Sequence, residues 1–250
     1  MEKVSHKDML EAGVHFGHLK RKWNPKMLPY IFAERKGIHL IDLNKTSESL
    51  EEAAHAVRQI VKSGRKVLFV ATKKQAKEVV KAEAQRANMP FVTERWLGGM
   101  LTNFATIRRS VKKMESIRKL LDDKNTTSLT KKERLLLGRQ LQKLSMVLGG
   151  IENLNRVPAA VYVVDITYED IAIKEAKKLG IRTLGMVDTN SNPNSIDFPI
   201  PSNDDAANSI QLITSYLADA AIAGSKDRAQ MKEENAKSEE KAPSEEKAAE

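Results

Sequence analysis

Two short runs of uninterrupted apolar residues limit the fold of this chain most tightly. They are KVLFVA at 66–71 and AAVYVV at 159–164. A strand with one wet face alternates apolar and polar residues, whereas a strand covered on both faces does not. Both runs are too short for a core helix and too apolar for a surface strand. They predict a sheet buried between two layers.

Helical patterns stand between and around them. GIHLIDL (37–43) reads as a short strand. Residues 46–63 carry Leu50, Ala53, Ala54, Val57 and Val61 at helical spacing, with Thr46 or Ser47 as cap and Gly64 as stop. A helix over 73–88 follows, then a brief strand, PFV, at 90–92. After the second apolar run come a helix over 169–180 and the strand IRTLGMVD at 181–188. SNPNSIDFPIP reads as a loop with a short edge element, and 203–224 as a last helix capped by Asn203 or Asp204. Strand, helix and strand in repetition predict an α/β fold, a doubly wound parallel sheet that is flavodoxin-like.

The alternation pauses over 103–150. Phe104, Ile107, Val111, Met114 and Leu121 step by threes and fours, broken at Arg118; Leu137, Leu141, Leu144 and Leu148 do the same. The polar segment DDKNTTSLT joins them, so the pattern predicts an antiparallel helical hairpin of coiled-coil type inserted into the α/β domain. Gly98–Gly99 and Gly149–Gly150 bracket it as candidate hinges. Before the alternation, prolines at 25 and 29 make the first segment an extended, turn-rich arm. The expected organisation is an RNA-contacting arm at 1–36, a discontinuous α/β domain at 37–102 and 151–224, the basic hairpin at 103–150 and a tail at 225–250.

Charge separates these parts. The whole chain carries +9, with 41% apolar and 30% charged residues, which is enough for a real core. From Lys226 onward six Lys/Arg meet eight Asp/Glu without an aromatic residue, so the tail is expected to be disordered. From Met100 to Pro158 thirteen Lys/Arg meet five Asp/Glu. A solvated helix surface normally mixes its charges. Here Arg108, Arg109, Lys112 and Lys113 stand with Glu115 as nearly the only acid, which favours phosphate binding over simple solvation. Lys131, Lys132, Arg139 and Lys143 repeat the pattern on the second arm.

HLKRKWNPK (18–26) is a second basic cluster. Lys20, Arg21, Lys22, Trp23, Asn24 and Lys26 are candidate RNA contacts, with packing favoured over base stacking for Trp23 itself. Lys73 and Lys74 open a helix after a strand, where backbone phosphate could sit. Neither a glycine-rich dinucleotide turn, a P-loop nor a nucleophile elbow occurs, so no catalytic residue and no cofactor is expected. His15 and His18 lack a third ligand at useful spacing and read as structural, with no metal. Asp165, Asp188 and Asn203–Asp205 sit near strand ends and read as caps and turns rather than a hydrolytic site. No cysteine, secretory leader or membrane-length apolar run is present, which points to a cytoplasmic protein with no membrane partner.

GVHFGH (13–18), WNPKM (23–27), YIF (30–32), GIHLIDL (37–43), RWLGG with LTNF (95–104), VVD (163–165), EAKKLGI (175–181), VDTN with NP (187–193) and NDDA (203–206) together resemble the bacterial S-two ribosomal protein family of the small subunit. The resemblance runs through most of residues 5–224, in order. It implies a flavodoxin-like sheet with an inserted hairpin, bound to small-subunit rRNA between head and body. It also implies neighbouring ribosomal proteins, including the large mRNA-binding protein S-one, with mRNA nearby and no homo-oligomer. Carried over, Arg95, Trp96, Gly98 and Gly99 form the junction of body and hairpin, and Lys20 to Lys26 lie in the arm. A sugar-phosphate or nucleotide-binding enzyme on the same fold is the alternative, with Thr72, Asp165 and Asp188 as its site. Binding mRNA as a free regulator would be a second activity of the same surface.

Overall fold

A computed structural model describes residues 4–123 and 130–241. Five strands form a parallel sheet: β4 (Val67–Val70), β5 (Phe91–Val92), β6 (Ala160–Val163), β7 (Arg182–Val187) and β8 (Phe198–Pro201). Their order is β5-β4-β6-β7-β8, with the first two strands reversed in space. That is the flavodoxin-like doubly wound order. The helices that connect them are α3 (Lys77–Arg86) and α6 (Asp170–Lys178).

The two apolar runs feed two cores, because alternate side chains leave opposite faces of the sheet. Val67, Phe69, Tyr162, Leu184 and Ile200 enter one core with α2 (Leu43–Lys62), α3 and α7 (Ala207–Lys241). Leu68, Val70, Val161, Val163 and Val187 enter the other with α6. Tyr162 is fully buried; its hydroxyl lies 3.1 Å from that of Thr214, and burial pushes its pKa up.

The second core also holds the insertion. Two helices, α4 (Phe104–Asp122) and α5 (Lys131–Leu148), pack against each other. Ile107, Val111 and Met114 of α4 are buried with Leu148 and Ile151. The α4 stripe therefore serves the α/β body as much as its partner helix. Arg118, which breaks that stripe, reaches Glu152 at 2.6 and 3.3 Å and ties α4 to the segment after α5. Most of the DDKNTTSLT connection lies outside the described residues.

Several expectations shift in detail. The arm contains α1 (His6–Glu11) and two strands, β1 (Phe16–Leu19) and β2 (Ile31–Arg35). GIHLIDL supplies β3 (Ile38–Ile41), which pairs antiparallel between those two and takes no place in the parallel sheet. Helix α2 starts earlier than expected, because Asp42 at the end of β3 caps it through the Asn44 amide. Thr46 instead donates its hydroxyl to the Pro201 carbonyl at 2.6 Å.

The tail also differs from the disordered segment expected. Helix α7 runs past Gly224 to Lys241, and Asp227 accepts from Arg58 on α2 at 2.8 and 3.1 Å. The remaining residues, 242–250, lie outside the described set.

Candidate nucleic-acid interface

In the arm, Lys20–Lys22 form a short 3-10 turn. Lys20 pairs with Glu34 on β2 at 2.6 Å, while Arg21, Lys22 and Lys26 point into solvent without a partner among the described residues. Trp23 is half-buried, its ring 5.3 Å from that of His39, so it packs as the sequence favoured. Asn24 is a cap: its side chain accepts from the Lys26 amide at 3.0 Å. Thr189, after β7, pins the arm twice. Its hydroxyl accepts from the His18 amide and its carbonyl from the Asn24 amide, each at 2.8 Å.

At the strand ends, Lys73 does not face solvent. Its ammonium lies 3.1 Å from Asp165, 2.8 Å from Asp204 and 2.7 Å from Asp205. Three carboxylates use its three donors, leaving nothing for an RNA phosphate. Burial opposes the Lys73 charge, but these hydrogen bonds and charges outweigh it and raise its pKa. Burial and the charges of Asp165 and Asp188 push Asp204 up to about 7, against the pull of Lys73. Lys74, next in sequence, is exposed and unpaired among the described residues.

His18 completes this network with partners far off in sequence. Its Nδ1 lies 2.9 Å from Asp188 and its Nε2 3.4 Å from Asp205. The Asp188 hydrogen bond raises its pKa, against burial and with the charges of Asp204 and Asp205. Ligand atoms of His18, Asp188 and Asp204 lie within 4.8 Å of one another, a set that could hold a metal ion. His15 is elsewhere, its ring 4.0 Å from that of Phe16, so the HxxH spacing is not what assembles the set. The positions an enzyme would need are engaged: Thr72 donates to Glu169, and Asp165 and Asp188 belong to the network.

The junction of body and insertion is built on one acid. Glu175 on α6 is 8% exposed, yet accepts from the Trp96 indole (3.1 Å), the amides of Gly99 (2.8 Å), Leu101 (3.0 Å) and Thr102 (3.1 Å), and the Thr102 hydroxyl (3.2 Å). Burial would raise its pKa; the donated hydrogen bonds outweigh that and hold it below the usual carboxylate range. The signal was present in the sequence. Glu175 sits among Ala172, Ile173 and Ala176 on the buried face of α6, where an acid needs donors.

The bracketing glycines have local reasons. Gly99 has φ +84°, a left-handed conformation. A Cβ on Gly150 would lie 2.1 Å from the Phe91 carbonyl oxygen, so only glycine lets this turn close over β5. At Gly98 and Gly149 a Cβ would meet nothing within 4 Å. Arg95 beside them is exposed.

On α4, Arg108 is drawn inward, donating to the Glu152 carbonyl at 2.8 Å and to Asn155 at 2.9 Å. Arg109, Lys112 and Lys113 are exposed and unpaired among the described residues. Lys131, Lys132, Arg139 and Lys143 on α5 are likewise exposed and unpaired among the described residues. Cations of this kind therefore stand on the arm, the strand-end loops and both helices of the insertion, and also on the body at Lys81, Lys177 and Lys178.

Comparison with known families decides the assignment. The family model described as Ribosomal protein S2 matches residues 9–224. The chain belongs to the ribosomal protein S2 family. It is similar to the small ribosomal subunit protein uS2 of Cytophaga hutchinsonii, 60% identical over 93% of this chain and 92% of that one. It is 56% identical to the uS2 protein of Flavobacterium johnsoniae, over 92% of this chain and 91% of that one. With that of Bacteroides thetaiotaomicron it shares 56% over 91% and 82%. The match ends where the expected tail begins, and it spans the insertion as well as the sheet.

Proposed function

We propose that this protein is a structural constituent of the small ribosomal subunit, a component rather than an enzyme. It binds small-subunit rRNA at the junction of head and body in the cytoplasm. The observation that carries this reading is a group of exposed cations with no partner among the described residues, including Arg21, Lys22 and Lys26 on the arm, Arg109, Lys112 and Lys113 on α4, and Lys131, Lys132, Arg139 and Lys143 on α5. Self-repulsion along such a surface costs stability, and a phosphate backbone removes that cost. Phosphate contact fixes orientation, and RNA shape supplies the selection.

A protein neighbour has its own place. Phe32 is 76% exposed and is the extra residue of a bulge in β2, between Ile31 opposite Ile41 and Ala33 opposite Leu40. A bulge turns its side chain away from the regular pleat. Leu28, just before β2, is 65% exposed. This apolar surface suits docking of S-one, whose bound mRNA would pass nearby.

The test is the salt dependence of rRNA binding. Replacing Arg109, Lys112 and Lys113 by Gln removes three phosphate contacts, so the slope of log K against log salt is expected to shrink by about 2–3 units. An unchanged slope would remove α4 from the interface. Arg108→Gln is expected to leave the slope as it is, because that guanidinium is bonded to Glu152 and Asn155.

A further inference from the structure

We propose that the crest above β4, β5 and β6 takes an unpaired nucleotide of the bound RNA, its base on Tyr168 and its phosphates on Lys74 and Arg95. This rests on the RNA-binding reading above and specifies which part of the RNA this surface accepts. The chain order of the sheet reverses between β4 and β6, since β4 has β5 on its other side. Open α/β sheets form a crevice outside the carboxyl ends of the strands at such a point.

Here the floor of the crevice is closed by short bonds. Glu169 is 3% exposed and accepts from the Thr72 amide at 2.6 Å and the Thr72 hydroxyl at 2.5 Å. Asp165 accepts from the Tyr168 amide at 3.0 Å while its other oxygen holds Lys73. The backbone of Tyr168 is therefore fixed from both sides. Its side chain is not: the residue is 63% exposed and has no partner among the described residues. Ile171, one turn along on α6, is 59% exposed and extends the apolar surface.

Cations stand on the adjoining loops: Thr72 and Lys73, bonded to Glu169 and Asp165, hold the loop carrying Lys74 against the loop carrying Tyr168. Lys77 at the start of α3 bonds Glu94 at 3.0 Å, which draws the segment carrying Arg95 against the loop carrying Lys74. The neighbouring acids are engaged: Glu94 by Lys77, Asp165 by Lys73 and Asp170 by Lys174. Lys74 and Arg95 have no such partner among the described residues. An anchored, solvent-facing aromatic beside unpaired cations binds single-stranded nucleic acid, because every unpaired base offers a stacking face. A duplex hides those faces within its own stack, so it gains from the cations alone.

The test compares a short single-stranded RNA of mixed sequence with a duplex of the same length, titrated by fluorescence anisotropy against the full chain. Tyr168→Ala is expected to weaken single-strand binding about five- to hundredfold and leave duplex binding unchanged. Tyr168→Phe is expected to retain single-strand affinity, and Lys74→Gln with Arg95→Gln to lower the salt slope on both RNAs. Tyr168 is exposed, so an unchanged thermal melt of the variant serves as the folding control. Equal single-strand affinity for Tyr168→Ala and the native chain overturns the stacking site but leaves RNA binding standing. Equal losses on both RNAs also overturn it. Failure of the native chain to bind either RNA overturns this inference and the reading on which it rests.

Discussion

Glu175 holds together residues that share little else: an indole, three amides of a turn and a hydroxyl. Hydrogen bonds to a buried charge are the stronger kind, and losing the acceptor leaves several buried donors unsatisfied. Glu175→Gln keeps the shape and loses the charge. It is expected to cost about 2–4 kcal/mol in urea unfolding near neutral pH. The sign with pH follows from the lowered carboxyl pKa. Its contribution is complete above the unfolded value near 4.5 and fades as pH falls through the folded one. The gap between Glu175→Gln and the native chain is therefore expected to narrow on acidification; a gap that widened would contradict the clamp. Lys73 shows the opposite lesson at this scale. Its sequence context, a basic pair opening a helix, suits a phosphate, and the carboxylates that claim it come from 92 to 132 residues away. Distances of that kind are visible only in the fold.

Among the elements, those determined by their own composition were legible. KVLFVA and AAVYVV are strands because their residues leave no polar face to expose, and they lie next to each other at the centre of the sheet. The edge element in SNPNSIDFPIP and the brief PFV strand also hold their expected places. What depended on remote partners was not legible. GIHLIDL is a strand, but its partners were not read from sequence: β1 is four residues with Gly17 inside it, and β2, IFAER, follows directly on the proline-bearing turn at 25–30 and carries charge at its end. Helix α7 continues into a segment whose composition suggests disorder, with Arg58 on α2 holding Asp227. The paired glycines suggested hinges, yet Gly150 is explained by close packing alone. Gly150→Ala would drive a methyl into the Phe91 carbonyl and is expected to cost about 1–3 kcal/mol. Gly98→Ala meets open space and is expected to change stability by less than about 1 kcal/mol. Thermal melts of the two variants check this. Similar losses at both sites would mean that backbone freedom, and not the approach to β5, is what the junction uses.

At the scale of the whole molecule, buried and exposed charges are handled differently. The α/β layers pair their buried ions internally, as the Lys73 network and the Glu175 clamp show, although one buried oxygen of Asp204, Oδ2, has no hydrogen-bond partner among the described residues. Cations without a partner among the described residues stand on the surface, on the arm, the crest, α4 and α5 among other places, and the exposed Phe32 bulge lies in the arm beside some of them. Such a molecule is suited to bridge RNA and protein neighbours rather than to turn over a substrate. No helix among the described residues is long and apolar enough to cross a membrane. The family match, running from residue 9 to residue 224, covers this arrangement almost from end to end. The most direct measurement is sedimentation of a lysate through a sucrose gradient with the protein followed by antibody. The account expects it to travel with small ribosomal subunits at low salt and to be released as salt is raised. Recovery at the top of the gradient at low salt, with intact subunits below it, would contradict the central claim.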